Sequence, residues 1–420
     1  MHSRRFAITD WQLVTIACAL SAFGIAMLYS AGQVERTTAF AGLWRTQLQW
    51  LVLGMGIAFA VSRASPRLIE LMAVPVYVIS IVLLLALMLG LGSGAGTAES
   101  TKSWLTIGGR RLGQPSELAK IAVVLMLAKT LTSRRETPNS LMDLWKPTVV
   151  VGIPWVLVMS QPDLGTAMVL VGLYFAMLYW TGASWRLLLL VASPGISLVL
   201  AFSTELWGAW FLLLLALLFM GRKKPYIVDA AVIIVANLVL GVGAPRMWDS
   251  LKDYQKDRLI VFLNPEKDAR AAGYNIIQSQ VAIGSGGWFG KGYTQGTQKR
   301  LSFLPQHHTD FIFPVIGEEL GFAGVMAGLG GLCLLLLRAV RIATRSLDPF
   351  TGIVAFGLAS GWFVHVIVNI GMTVGLMPIT GIPLPFFSYG GSFMLACWIS
   401  VGLLVRISAA GRGRADAFAI

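Results

Sequence analysis

GYNIIQSQVAIGSGGWFGKGYTQGTQKRLSFLPQHHTDFIFPVIGEELG, residues 273–321, is a polar island between long apolar runs. It holds His307 and His308, two of the four histidines, and three carboxylates, Asp310, Glu318 and Glu319, at the start of or inside an apolar stretch. An ionisable group at membrane depth is costly unless it faces protein or a water-filled cavity, so function is sought here first. The glycines of AIGSGGWFGKG do not make a nucleotide loop. Ser285 stands where a Walker A motif needs glycine, and Gly292 where it needs Ser or Thr. Alternating apolar and glycine residues instead predict a re-entrant or interfacial segment, allowed at depth only where protein or water satisfies the backbone.

Outward from this island the chain is apolar. With 420 residues, 56% of them apolar and 13% charged, and a mean hydropathy of +0.72, it cannot be a soluble domain. Apolar runs lie at about 11–30, 46–62, 69–91, 115–132, 146–160, 164–181, 185–203, 206–221, 226–243, 311–338, 350–373 and 385–407. Most approach the roughly 20 residues a helix needs to cross about 30 Å of hydrocarbon. The expected fold is an all-α polytopic membrane protein of about twelve transmembrane helices. Residues 1–420 are expected to form a single integral membrane domain, with 244–309 as a large extracytoplasmic loop within it. The eighth and ninth runs are short and separated only by GRKKP, so ten spans result if that pair is interfacial. The basic start MHSRRF precedes a run too long for a signal peptide and is read as leading into a retained first helix. Cys18, Cys333 and Cys397 all fall in apolar runs without metal-ligand spacing.

Orientation follows from basic residues in short loops. With the N-terminus inside, the inner segments hold eighteen Lys and Arg and the short outer loops five, which puts both termini in the cytoplasm. Much of the formal charge of +13 is thus topology signal and not a nucleic-acid footprint. Basic residues left outside, among them Arg110, Arg258 and Lys291, are candidates to meet an anionic headgroup or pyrophosphate. The Gly- and Ser-rich segment 92–113 reads as a surface loop.

Other motifs carry competing readings. Glu117 and Lys120, three apart after Pro115, share a helix face as a locking ion pair or as ligand contacts. Asp163 is placed to cap the helix after Pro162. His307 and His308 are a weak metal signal, since no Cys or HExxH spacing accompanies them. Thr309 or Asp310 would make a good N-cap; equally, a carboxylate at the mouth of a cavity among basic side chains suits a general base. On a continuous helix Glu319 would lie roughly 13 Å deeper than Asp310, at about 1.5 Å per residue, and at least one of Asp310, Glu318 and Glu319 is expected to face an internal cavity. NIGMTVGLMPITGIPLPFFSYGGS, residues 369–392, has three prolines and five glycines, which predicts a broken turn. His365 and Asn369 share a face and are read as interhelical hydrogen-bonding residues.

Through QPSELAK, QPDLGT, GYNIIQSQVAIGSGGWFGKG, HTDFIF, EELG and PLPFFSYGGS, in this order, the chain resembles the SEDS family (shape, elongation, division and sporulation) of polytopic peptidoglycan glycosyltransferases. GIPLPFFSYGGS and the short N-terminal tail look more like the RodA branch, which serves elongation, than the FtsW branch, which serves division. The resemblance implies that Asp310 is the catalytic carboxylate, that Glu117 and Lys120 form the family's ion pair, that lipid II is the substrate, and that a class B penicillin-binding protein is the partner. Lys120, Glu117, Arg110, Arg258, Lys291, His308, Thr309 and Ser388 are the candidate substrate-binding residues. Gln306 and Pro314 depart from the family pattern, and 206–243 looks like a pair of spans inserted into the ten of the family. The expected activity is polymerisation of lipid II at the outer face of the bacterial cytoplasmic membrane. No cation ligand set is legible, and a divalent cation stays open as a cofactor. The alternative is a flippase for the lipid-linked precursor or another transporter, which broken helices and buried carboxylates also suit.

Overall fold

A computed structural model of the chain describes residues 10–33, 42–93, 103–107, 110–133, 137–219, 227–250, 256, 272–300 and 308–415. Each of the twelve apolar runs contains a helix. In order they are α1 (Trp11–Ala31), α2 (Leu43–Ser62), α3 (Pro66–Ala86), α4 (Pro115–Thr132), α5 (Leu141–Ser160), α6 (Leu164–Trp180), α7 (Trp185–Leu200), α8 (Thr204–Phe219) and α9 (Ile227–Ser250). Two shorter helices, α10 (Ala272–Ser285) and α11 (Thr297–Arg300), occupy the polar island, followed by α12 (Ile312–Thr344), α13 (Pro349–Val374) and α14 (Gly391–Ala415). Seven helices among the described residues are long and apolar enough to cross a membrane, and α6, α7 and α8 are shorter apolar helices. The protein is a multi-pass membrane protein of the all-helical class.

The segment read as a surface loop carries a small three-stranded antiparallel meander, β1 (Gly92–Ser93), β2 (Trp104–Ile107) and β3 (Arg110–Gly113), with Ser93 opposite Trp104 and Ile107 opposite Arg110. It follows a π-helical turn, Leu87–Leu91, at the end of α3.

Helix α4 forms the centre. It is apolar around its circumference and buried from Pro115 to Leu131, the pattern of a helix packed on all sides. Helices α3, α5, α6, α13 and α14 surround it. Helices α8 and α9 stand outside this core, joined through α7 in a separate small cluster of Leu190, Leu214, Leu218, Ala230 and Ile233. Between α7 and α9 the apolar contact is supplemented by Asn237, which donates to Ser193 Oγ at 2.8 Å and accepts from Ser197 Oγ at 2.6 Å. A polar residue inside an apolar helix is well placed when it bonds a neighbouring helix in this way.

Two sets of contacts define the faces of the bundle. On the face of Asp10, here called proximal, Arg338 of α12 grips both oxygens of Asp10 at 2.9–3.1 Å and Ser408 of α14 adds a bond at 3.1 Å. On the distal face, reached by α1 at Ala31, Ser30 donates to Glu319. The polar island and the 375–390 turn lie on this distal side, as the parity of the helices requires.

Helix α12 is not the single smooth span expected over 311–338. Gly321 has φ +65° and ψ −161°, which breaks it into a short N-terminal arm and the spanning helix that follows. An L-residue rarely adopts this backbone, and a Cβ at Gly321 would also collide with the backbone of Trp288, Phe289 and Gly290. The broken turn is sealed from α10's side: Phe322 N donates to Gly287 O at 2.8 Å and Ala323 N to Trp288 O at 3.0 Å. Trp288 and Phe289 are exposed on the bend.

Candidate active site

Three buried polar side chains hold the irregular turn 375–390 from behind. His365 sits on α13 facing α4. Its Nδ1 lies 3.0 Å from Pro383 O, and a carbonyl only accepts, so Nδ1 carries the proton and Nε2 accepts from the Lys120 ammonium at 2.8 Å. Lys120 in turn lies 2.8–2.9 Å from the two oxygens of Glu117. One helical turn further along α13, Asn369 donates through Nδ2 to Asp310 O at 2.9 Å and to Ile382 O at 2.8 Å. From α2, Gln47 is fully buried and reads the chain at two points, donating to Ser388 O at 3.2 Å and accepting from Gly390 N at 3.1 Å. A cavity of about 40 Å³, lined in part by Glu117, Lys120, His365 and Trp362, lies beside the ion pair.

This scaffold fixes Asp310. The residue is partly buried just before α12, whose cap position is taken by Phe311 without a side-chain cap bond. Asp310 Oδ2 would lie 3.3 Å from a Cβ built on Gly381, so the carboxylate rests against that glycine, which itself has φ +72°. Next to it, Tyr389 N donates to His308 O at 3.0 Å, which joins the HTD segment to the SYGG turn. Gln114 ties the start of α4 into the same face, its N donating to Ser392 Oγ at 2.9 Å and its side chain to Asp163 at 3.2 Å.

The other two carboxylates of the island do a different job. Glu318 accepts from Lys291 Nζ at 2.7 Å, from Thr297 N and Oγ1 at 2.8 Å and from Gln298 N at 3.1 Å. Glu319 accepts from Ser30, from Thr294 N at 3.2 Å and from Gly296 N at 3.4 Å. Both are buried, with the backbone of 294–298 packed against their oxygens. The expected depth is corrected. Glu319 bonds the last turn of α1, whereas Asp310 is held by Asn369, five residues before the end of α13, or roughly 7.5 Å along the helix at about 1.5 Å per residue. The break at Gly321 lets the N-terminal arm of α12 avoid the descent assumed for a continuous helix. Nearby, burial first and then Glu319 and Tyr29 push the Tyr293 phenol above its ordinary value, and it donates to Ala26 O at 2.7 Å.

The family profile described as "Cell cycle protein", covering FtsW, RodA and SpoVE, matches residues 10–210 and 202–413. The chain belongs to this family. The SEDS resemblance of the sequence is thereby borne out. The two matched segments meet at 202–210, where the α8–α9 pair begins. The chain is 35% identical over 399 residues to the peptidoglycan glycosyltransferase MrdB of Escherichia coli K12, covering 95% of this chain and 93% of the relative. It is similar to a chain of a solved peptidoglycan synthase complex that coordinates polymerisation and crosslinking, with a TM-score of 0.69, 29% identity and coverage of 96% and 98%. It is also similar to the crystal structure of the rod shape determining protein RodA of Thermus thermophilus, with a TM-score of 0.61, 27% identity and coverage of 95% and 96%.

Within this SEDS fold the candidate residues divide. Asp310, His308 and Thr309 are adjacent at the distal turn. Ser388 precedes Tyr389, whose N bonds His308 O, but its own hydroxyl is buried and accepts from Leu384 N at 2.8 Å. Glu117 and Lys120, buried to 4% and 8% exposure, face each other and His365; the geometry makes them an internal pair and offers no open surface for substrate. Lys291 is engaged by Glu318 and by Thr297 Oγ1 at 2.8 Å. Arg110 lies on β3, its backbone paired with Ile107. Arg258 and His307 lie outside the described residues, and among those described no three His, Cys, Asp or Glu converge as a metal ligand set. Gln114 and Gly381 fall inside quoted motifs, QPSELAK and GIPLPFFSYGGS, but were given no role of their own there, and Gln47 was not singled out at all: a lone amide in an apolar run carries no motif. Asp163 caps α6 through Thr166 N at 3.0 Å, as its position after Pro162 predicts.

Proposed function

We propose that this chain is a peptidoglycan glycosyltransferase that polymerises lipid II at the outer face of the bacterial cytoplasmic membrane during cell elongation, with the distal face outside and both termini in the cytoplasm. The observation that carries the reading is the seat of Asp310: a carboxylate held at the distal end of the bundle against Gly381, its main chain bonded to Asn369. Asp310 takes the proton of the acceptor sugar 4-hydroxyl as its oxygen attacks the anomeric carbon of the lipid-linked donor. The bond to the pyrophosphate oxygen breaks with inversion, and polyprenyl pyrophosphate leaves with the electron pair. A positioned base contributes roughly 10² to 10⁴ in rate, because a protonated hydroxyl is a poor nucleophile. The leaving group's charge must be met in turn, and Arg110 and Arg258 are the candidates the sequence offers. A class B penicillin-binding protein is the proposed partner, in keeping with the synthase complex to which the fold is similar.

The test is to incubate the purified full chain, with and without such a transpeptidase, with lipid II in detergent. Glycan polymer is expected from the wild type and none from Asp310→Asn at unchanged thermal stability, since the amide keeps size but has no useful proton affinity. Loss of base catalysis predicts a rate loss of at least about 10². A wild-type protein that moves lipid II across vesicles but makes no polymer would establish the flippase alternative, and near-normal polymer from Asp310→Asn would remove Asp310 from the chemistry.

A further inference from the structure

Two concavities meet on the proximal face, opposite Asp310. One is a groove of about 590 Å³ between α1 and α12, walled by Trp11, Ile16, Leu334 and Leu337 and rimmed by Arg338 and Arg341. The other, of about 430 Å³, begins at the same two arginines and continues past Arg345 and Ser408. Because α12 runs from the distal to the proximal face, Leu334 and Leu337 lie on the membrane side of the arginines and Arg345 on the aqueous side. Apolar groove, cationic rim and polar cup thus follow one another along the membrane normal.

The charges of the rim do not cancel. Arg338 is engaged by Asp10 through three bonds of 2.9–3.1 Å. Arg341 and Arg345 are exposed, and among the described residues their guanidinium groups make no ion pair. Three arginines against one aspartate leave two positive charges beside an apolar groove. A topology signal requires only positive charge near helix ends; it does not require a groove opening beneath it.

We propose that this rim binds one anionic glycerophospholipid. Arg341 and Arg345 hold its phosphate, for which the planar guanidinium fork is suited. An acyl chain lies along Ile16, Leu334 and Leu337, and Trp11, 63% exposed, sits at headgroup level. Basic pockets between helices at a membrane surface are a general solution for such headgroups. The site does not depend on any reading of the reaction.

The test uses the full chain, delipidated in detergent and titrated with phosphatidylglycerol, with phosphatidylcholine of the same acyl chains, and with inorganic phosphate. Retention is read by native mass spectrometry and stabilisation by thermal unfolding. Saturable retention of phosphatidylglycerol is expected, with little of phosphatidylcholine and no competition by millimolar phosphate. Replacing both arginines, Arg341→Gln with Arg345→Gln, should weaken phosphatidylglycerol by about thirtyfold, roughly a factor of five for each arginine at a membrane surface. Unfolding without lipid should be unchanged. Thr15→Trp, which fills the groove and keeps the arginines, should also weaken binding. Equal retention of the two lipids, unchanged affinity in the double variant, or displacement by inorganic phosphate would each overturn the proposal.

Discussion

At the scale of single residues, Asp310, the base proposed above, is positioned by a side chain that never needs to touch substrate. Asn369 commits its amide nitrogen to two carbonyls, and turning the amide over would set its oxygen against both, so only one orientation is favourable. Asn369→Ala leaves those carbonyls buried without their donor, at a cost of about 1–3 kcal/mol for each unsatisfied group. It also frees Asp310 to shift, and a displacement of about 1 Å can cost on the order of 10² in rate. The expected outcome is a fall in kcat of ten- to a hundredfold with KM nearly constant, measured as polymer formation against lipid II concentration. A change confined to KM would assign Asn369 to binding instead. Gly381→Ala should behave alike, because Ala is strained at φ +72° and its Cβ would press on Asp310 Oδ2.

At the scale of elements, α4 and α13 are joined by a chain of polar groups running from Glu117 through Lys120 and His365 to the carbonyl of Pro383. Removing one member of a buried ion pair typically costs about 3–5 kcal/mol, so Glu117→Gln or Lys120→Met should sharply lower folded yield. The exchange Glu117→Lys with Lys120→Glu restores the pair but sets a carboxylate against His365 Nε2, where an acceptor now stands. Recovery should therefore be partial, and thermal unfolding of the singles and the exchange will check it; full recovery would mean that His365 contributes nothing. The pair was legible in the sequence because three residues on a helix are neighbours. The helices were legible for a similar reason, since apolar length is the strongest local signal. The break at Gly321 was not, because an isolated glycine is tolerated in a helical pattern and its φ is decided by Gly287 and Trp288 packing from another segment. Nor was Gln47, whose partners lie more than three hundred residues away.

At the scale of the whole molecule, the distal face gathers polar groups from α1, α2, α12, α13 and the caps of α4 and α6, while on the proximal face Asp10, Arg338 and Ser408 tie α1, α12 and α14 together. Which face is outside decides whether lipid-linked sugars carried on the outer leaflet can reach Asp310. The short loops provide the answer expected here: read from the sequence with the N-terminus inside, the inner segments hold eighteen basic residues and the short outer loops five, and an excess of Lys and Arg marks the cytoplasmic face. The long polar segment 244–309 holds nine more, but segments beyond about sixty residues escape that rule. A reporter active only outside the membrane should therefore work when fused near Lys252 and fail when fused near Lys223. Because α9 lies between the two fusion points, this pair of fusions also tests whether the outlying α8–α9 pair crosses the bilayer. Activity at both positions would make that pair interfacial on the outer side, where α7 ends, and activity near Lys223 alone would invert the bundle, placing Asp310 where it meets precursors still in the inner leaflet.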